Sequence, residues 1–333
     1  MGIRAREPGR LAPAVADIRN AVRASVADLA PGALVLAACS GGADSLALAA
    51  ALAFVGPRDG LRAGGVTVDH GLQEGSADRA VAVAAALAEL GLDPVRSVAV
   101  TVGEADGPEA AARAARYGAI ARVADETGAA AVLLGHTLDD QAETVLLGLA
   151  RGSGSRSLAG MPPRRGVCRR PLLGIRRAQT AAACAAQGLD PWHDPHNEDR
   201  RFARVRVRLD VLPVLEAAVG PGVAEALART ATQLRADADV LDGMTARQSA
   251  GSPSLTTADL VELPDAIRSR VLRSAAVAAG CPPGALTLAH VRRVEELVTN
   301  WHGQRWVDLP GGVRAARRDG QVLFTGGVAH GRQ

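Results

Sequence analysis

Between residues 34 and 151 the chain alternates short apolar runs with longer helical ones, and that order admits few folds. LVLAACS (34–40), RAGGVTVD (62–69), VRSVAVTV (95–102) and AAVLLG (130–135) read as strands. Helical runs follow at 45–55, 76–90, 109–126 and 138–151, after a leading amphipathic helix (13–30) with Val15, Ile18, Val22, Val26 and Leu29 in register. Strands separated by helices of this length are joined by crossovers, so the pattern predicts a doubly wound parallel α/β sheet covered on both faces. We assign it residues 1–213. Residues 214–333 read as a smaller, mainly helical domain, with helices at 214–248, 265–279 and 285–300. The tail (306–326) reads as a short β-hairpin, two strands around turns at PGG and RDG. The segment 151–170, RGSGSRSLAGMPPRRGVCRR, is too polar and broken for a core element and reads as a mobile functional loop or a linker, its length favouring the loop.

Composition narrows the chemistry. All 38 basic side chains are arginine. The absence of lysine excludes Walker-type nucleotide sites, pyridoxal-phosphate and Schiff-base enzymes, and protein-kinase chemistry. Aromatics form 2% of the chain, too few for a surface of stacked platforms. A formal charge of +3 suggests a mild affinity for polyanions. Cys39, Cys168, Cys184 and Cys281 lie far apart with no CxxC pair, as expected of buried thiols in a reducing compartment. No secretory leader is evident, and the longest apolar run (46–56) is about half the ~20 residues of a membrane span. These features predict a cytoplasmic protein without a membrane partner.

Ser40-Gly41-Gly42-Ala43-Asp44-Ser45 stands where a strand's carboxyl end meets a helix, the place where open α/β sheets bind ligands. Paired glycines let successive N–H groups converge on an anion, aided by the helix dipole. Asp44 would repel phosphate unless a divalent cation lay between, so the loop reads as a magnesium pyrophosphate site. A Gly-rich turn capped by Ser and Asp is the plainer alternative, and the loop alone does not separate the two.

A second segment, His136 to Thr144, opens the helix at 138–151. On a 100° wheel Leu138, Ala142, Val145, Leu146 and Leu149 form the apolar face, with Asp139 at its edge, Glu143 just beyond and Asp140 further out. A half-buried Asp139 beside the sheet ends needs a cation or several donors. Asp140 and Glu143 are accounted for as acids complementing the dipole behind a Thr137 cap. In a third segment, Glu109 and Arg113 form an i,i+4 surface pair, or Arg113, Arg116 and Tyr117 form a positive face for an acceptor nucleotide or a departing phosphate.

With these segments the chain resembles the tRNA(Ile)-lysidine synthetases, within the N-type ATP pyrophosphatases. The motifs are SGGADS (40–45), VDHGLQ (68–73), EAAARAARY (109–117), LGHTLDDQAET (134–144), LARGSGSRSLAGM (149–161), RRPLLGIRR (169–177) and WHDPHNEDRRFARVRVRLDVLPVLE (192–216). The likeness runs from about residue 34 to 216 and resumes more faintly at 309–324. It implies ATP and Mg2+ as cofactors, free L-lysine as co-substrate and tRNA(Ile) with a CAU anticodon as partner. The cytosine C2 oxygen would attack the α-phosphorus, and the lysine ε-amine would then displace AMP, leaving lysidine. Ser40, Gly41, Gly42, Ala43, Asp44 and Ser45 would cradle the pyrophosphate. Asp44 and Asp139 would carry the metal, Arg113 would stabilise developing charge, and His70 and His136 would shape the adenosine pocket or simply cap their strands.

For the RNA, Arg201, Arg204 and Arg208 would share a face if their stretch is helical, while Arg206 reads as solvated. Arg151, with Arg156, Arg164 and Arg165, lines the polar segment that could close over the anticodon. The family usually has asparagine where Val205 stands, and longer members carry an extra C-terminal module, so contacts at both places are open. A thiolase needs paired cysteines, and an amidotransferase-type synthetase needs a glutamine-hydrolysing cysteine, neither of which the sequence offers. A non-catalytic RNA-binding protein would not need Ser40, Asp44 and Asp139. The oligomeric state is open, a homodimer included.

Overall fold

The computed structural model describes residues 11–69, 71, 75–100, 108–152, 154–251 and 255–326. The chain divides into two compact units, Met1–Leu147 with Met161–Arg229, and Gly148–Gly160 with Thr230–Gln333.

The first unit holds strands β1 (Leu34–Ala38), β2 (Arg62–Asp69), β3 (Val95–Ala99), β4 (Ala131–Leu134), β5 (Arg164–Arg165) and β6 (Cys168–Arg169), in the order β3-β2-β1-β4-β6-β5. All neighbours run parallel except β5 and β6. Its helices begin with α1 (Pro13–Val26), α2 (Ala43–Arg58), α3 (Ser76–Glu89), α4 (Pro108–Thr127) and α5 (Leu138–Ala150), which runs on past the unit's edge. The short α6 (Ser155–Leu158) lies in the second unit. In the first, α7 (Arg177–Gln187) and α8 (Ala203–Arg206) follow, then a π turn (Val207–Val211), α9 (Leu212–Val219) and the start of α10 (Val223–Gly251).

Alternation along the central strands builds two cores. Val35, Ala37, Ala131 and Leu133 pack with Ile18, Val22, Leu48, Leu52 and Ala183 of α1, α2 and α7. Leu34, Leu36, Val132 and Leu134 face Ile120, Val123 and Ala124 of α4. Burial on both faces is why these strands read as continuous apolar runs rather than alternating ones. The predicted doubly wound sheet is present.

Three features depart from the sequence reading. The segment 151–170 is not one mobile loop. Gln141 clamps Met161 through its backbone N–H (2.7 Å) and carbonyl (3.1 Å), and β5 and β6 add to the main sheet. Arg169 and Arg164 bond Asp28 at 2.5 and 2.8 Å and hold its carboxyl well below the usual range. Charge there serves tertiary pairing, which composition does not reveal. Second, the division falls after Arg229 rather than after Pro213. Leu212 and Ala224 pack with Leu138 and Ala142, and Glu216 accepts the N–H groups of Gly222 (2.7 Å) and Ala224 (3.2 Å), tying the turn between α9 and α10.

The second unit adds α11 (Thr257–Glu262), α12 (Asp265–Ala278) and α13 (Leu288–Thr299) around Leu260, Val271, Leu272, Val294 and Leu297. The third departure is its tail, which has three antiparallel strands rather than two: β7 (Val307–Asp308), β8 (Arg314–Arg318) and β9 (Gln321–Thr325). The PGG turn folds Val307 and Asp308 back onto β8, and Asp319 and Gly320, both at positive φ, make the tight hairpin turn. Among the described residues no single helix is long and apolar enough to cross a membrane.

Candidate active site

The strand order reverses between β1 and β4, and the loops leaving their carboxyl ends face one another. Residues 39–45 follow β1; residues 135–140 follow β4. Such a switch point is where an open α/β sheet leaves room for a ligand, and a cavity of about 550 Å³ opens there, lined by Ser40, Asp44, Arg116, His136, Asp140, Trp192 and Arg208 among others.

The first loop is built for an anion. Gly41 adopts φ +88, and a Cβ there would lie 2.9 Å from Val83 Cγ2. Gly42 is the N-cap of α2 and offers no side chain to its first turn, so the opening N–H groups stay available. The Ser45 hydroxyl accepts from the Ser40 N–H (3.1 Å) and donates to the Gly42 carbonyl (2.9 Å), holding the loop closed on itself. Gly135 lets the second loop press against the first: a Cβ would sit 3.1 Å from Asp44 C and O and from Ser45 Cα. Trp192 backs the loop, donating its N–H to the Gly41 carbonyl at 2.9 Å.

One cation gathers the acids. Arg177, at the start of α7, reaches Asp44 (3.5 Å), Asp140 (2.7 Å) and Glu143 (3.5 Å). Burial pushes the Asp44 carboxyl up, against the Thr180 hydroxyl that donates to it and the Arg177 charge. Burial also opposes ionisation of Asp140, but Arg177 and the Thr137 N–H hold it below the usual carboxylate range. Glu143 is wholly buried and pairs with Arg208 at 2.7 Å.

Arg177 thus brings Asp44 together with Asp140 rather than with Asp139. Asp139 instead accepts the Arg177 backbone N–H (2.7 Å) and pairs with Arg176 (3.3 Å). The wheel placed Asp139 rightly, half-buried beside a cation and a donor, but put Asp140 too far out, because Asp140 stands three residues after the cap. Its carboxylate turns back to accept the Thr137 N–H (2.8 Å) and hydroxyl (3.0 Å), while Thr137 accepts the Asp140 N–H, a reciprocal capping box that aims it at the sheet edge. Leu149, expected on the apolar face, is 61% exposed.

His136 lines the cavity, its Nδ1 buried without a partner. Desolvation, with Arg116, Arg170 and Arg113 nearby, pushes its pKa down to about 3 against the pull of Asp140, so the ring is neutral near pH 7. His70 lies outside the described residues. Arg113 is exposed and donates to the Tyr117 hydroxyl at 3.3 Å; desolvation and the Arg116, Arg204 and Arg170 cations push its pKa down.

The predicted arginine face of 201, 204 and 208 does not form. Arg201 precedes α8 and folds onto Asp199 (2.6 Å), and Arg208 is turned inward by Glu143. Arg204 donates to the Thr144 hydroxyl at 3.3 Å, and Val205 is buried. Arg151 is exposed in the second unit, which also contains Arg156 paired with Asp239. Arg177 and Trp192 fall inside the family-like motifs, yet nothing in their spacing marks a role for either. Thr137-x-x-Asp140 was the one legible signal for Asp140.

Comparison with known proteins places this geometry. Residues 16–215 match the PP-loop domain, and residues 255–324 match the TilS substrate binding domain. A tRNA(Ile)-lysidine synthase of Thermobifida fusca is 61% identical over 317 residues, covering 94% of this chain and 98% of that one. The chain belongs to the tRNA(Ile)-lysidine synthase family. Relatives of the same name from Streptomyces coelicolor and Mycobacterium tuberculosis are 56% and 50% identical, over 88% and 86% of this chain and 86% and 88% of theirs. The family forms lysidine on tRNA(Ile) using ATP. A solved U34-tRNA thiolase of Methanococcus maripaludis with its [4Fe-4S] cluster superposes with a TM-score of 0.57 at 21% identity, over 66% of this chain and 79% of that one, and so shares the fold.

Proposed function

We propose that the cavity between β1 and β4 binds ATP with Mg2+, adenylates the wobble cytidine of a CAU anticodon in tRNA(Ile) and joins free lysine to its C2. The observation that carries this reading is the pairing of a lysine-free N–H nest with two half-buried carboxylates held by one arginine.

The donor set fits magnesium. Among the described residues no three His, Cys, Asp or Glu side chains gather as a metal cage. Mg2+ typically takes one or two carboxylates, substrate phosphates and water, which Asp44 and Asp140 suit. When bound, the ion supplies neutralisation of phosphate charge. The chain supplies the rest. The opening N–H groups of α2, with Ser40 and Ser45, bind the two outer phosphates as pyrophosphate departs. Gly135 keeps that loop against Asp44, and neutral His136 lines the cavity where the nucleotide or base would lie. Arg113 faces charge developing at the phosphate. Of the arginines read as RNA ligands, Arg204 and Arg151 keep that role in this reading. A cytoplasmic setting agrees with four buried free thiols.

The test omits lysine. With ATP labelled at the α-phosphate, the protein should transfer AMP to a CAU transcript and release pyrophosphate. Asp44→Asn and Asp140→Asn should each lower the rate by about 10²-fold or more while folding normally. Full turnover in both variants would remove the carboxylates from the reaction.

A further inference from the structure

Arginine keeps its charge in proteins, so burying one without an anion is unfavourable. Among the described residues three arginines are buried: Arg169, Arg170 and Arg268. Arg169 pairs with Asp28 at 2.5 Å, and Arg268 pairs with Glu295 at 2.7 Å. Arg170, 4% exposed, follows neither example. It donates to the Pro162 carbonyl (2.8 Å) and the Tyr117 hydroxyl (3.0 Å), and its buried Nε has no partner.

More cationic charge collects on the same ring. The guanidinium carbons of Arg113 and Arg116 lie 5.2 and 5.7 Å from the Tyr117 centroid. Arg113 also donates to the hydroxyl at 3.3 Å. Among the described side chains no carboxylate lies within ion-pair distance of Arg116 or Arg170. The Tyr117 oxygen already accepts from two guanidinium groups, so its own proton is left to donate outward. Arg116 lines the cavity with His136. The result is a cluster of guanidinium groups in which the buried Arg170 has no anion.

We propose that Arg170, Arg113 and Arg116, assembled on Tyr117, form a phosphate-oxyanion site that meets the cavity at Arg116, distinct from the N–H nest at Ser40–Ser45. An oxyanion needs only donors, and these residues offer only donors. Its source is a phosphodiester of the RNA beside the modified base or the α-phosphate of the nucleotide. Exposure of Arg113 and Arg116 makes the RNA the source the site is better placed to meet. This assignment rests on the function proposed above.

The test measures two affinities on the full chain. Arg113→Gln/Arg116→Gln leaves the buried Arg170 untouched and should fold. If RNA is the source, that double variant binds the CAU transcript about tenfold more weakly, and the slope of log affinity against log salt falls by about 1 to 2. Affinity for ATP with Mg2+ is then unchanged. A transcript with methylphosphonate linkages flanking the wobble base should bind wild type as weakly as the variant binds normal RNA, with no further loss on combining the two. If the nucleotide is the source, ATP affinity falls instead and the methylphosphonate has no effect. Arg170→Lys, which keeps the charge and loses Nε, should show the same loss in milder form. Unchanged affinity for both ligands in the double variant, or an RNA loss that adds to that of the methylphosphonate, would overturn the site. Lysine transfer by wild type is scored separately: its absence rejects the proposed function, whereas the two affinities alone decide the oxyanion site.

Discussion

Arg177 and Arg208 neutralise a group that would otherwise be among the least stable placements in the protein. Glu143 has no exposed side-chain surface, and Arg208 is its shortest partner at 2.7 Å. Removing one member of a buried pair strands the other, so Arg208→Ala should lower stability by about 3 kcal/mol in urea unfolding. Adding Glu143→Gln should restore part of that loss; no recovery would mean that Arg208 acts through packing. His136 gives a pH prediction. Its unfolded ring takes a proton near pH 6.5, whereas the folded ring resists until about pH 3. Between those values the unfolded chain binds more protons, so stability climbs with rising pH, by a His136 share on the order of 5 kcal/mol. Asp44, whose carboxyl is pushed up from 3.8, acts in the opposite sense. The clean measurement is therefore the difference between wild type and His136→Gln, which should flatten the rise; parallel curves would contradict the burial of a neutral ring. Asp44 was legible in the sequence because a carboxylate in a phosphate loop is anomalous. Asp140 was legible only through Thr137-x-x-Asp140, because a helical wheel treats side chains as radial while a capping residue turns back along the axis.

At the scale of elements, the site depends on two loops meeting. Gly135 is the hinge of that meeting, and Gly135→Ala would drive a Cβ to 3.1 Å from the Asp44 and Ser45 backbone, which cannot swing aside as a side chain can. It should raise the KM for ATP about tenfold or more and lower stability by about 1–3 kcal/mol. A variant that melts early yet keeps its KM would show that this contact sets stability alone. Thr137→Ala should cost about 1 kcal/mol by removing the α5 cap, with a larger effect on turnover because Asp140 loses its orientation. Strands and long helices were readable here from period and length. The segments 161–170 and 199–208 were not, because their arginines are committed to Asp28, Asp199 and Glu143, partners distant in sequence or set by a turn rather than a helix.

For the whole molecule, the alternation of strand and helix over residues 34–151 fixes parallel crossovers, and these place the carboxyl ends of β1 and β4 side by side. The division into units was less legible, because the turn joining α9 to α10 is closed by Glu216, a single exposed-looking acid in an apolar helix. The chemistry follows from that placement: phosphate at the nest, carboxylates beside it, cations in the wall. Its most direct test mixes the full-length protein with ATP, Mg2+, labelled lysine and transcripts differing only in the anticodon. Lysine should enter the CAU isoleucine transcript alone, with one AMP and one pyrophosphate released for each lysine joined. No incorporation, or incorporation without pyrophosphate, would contradict the account.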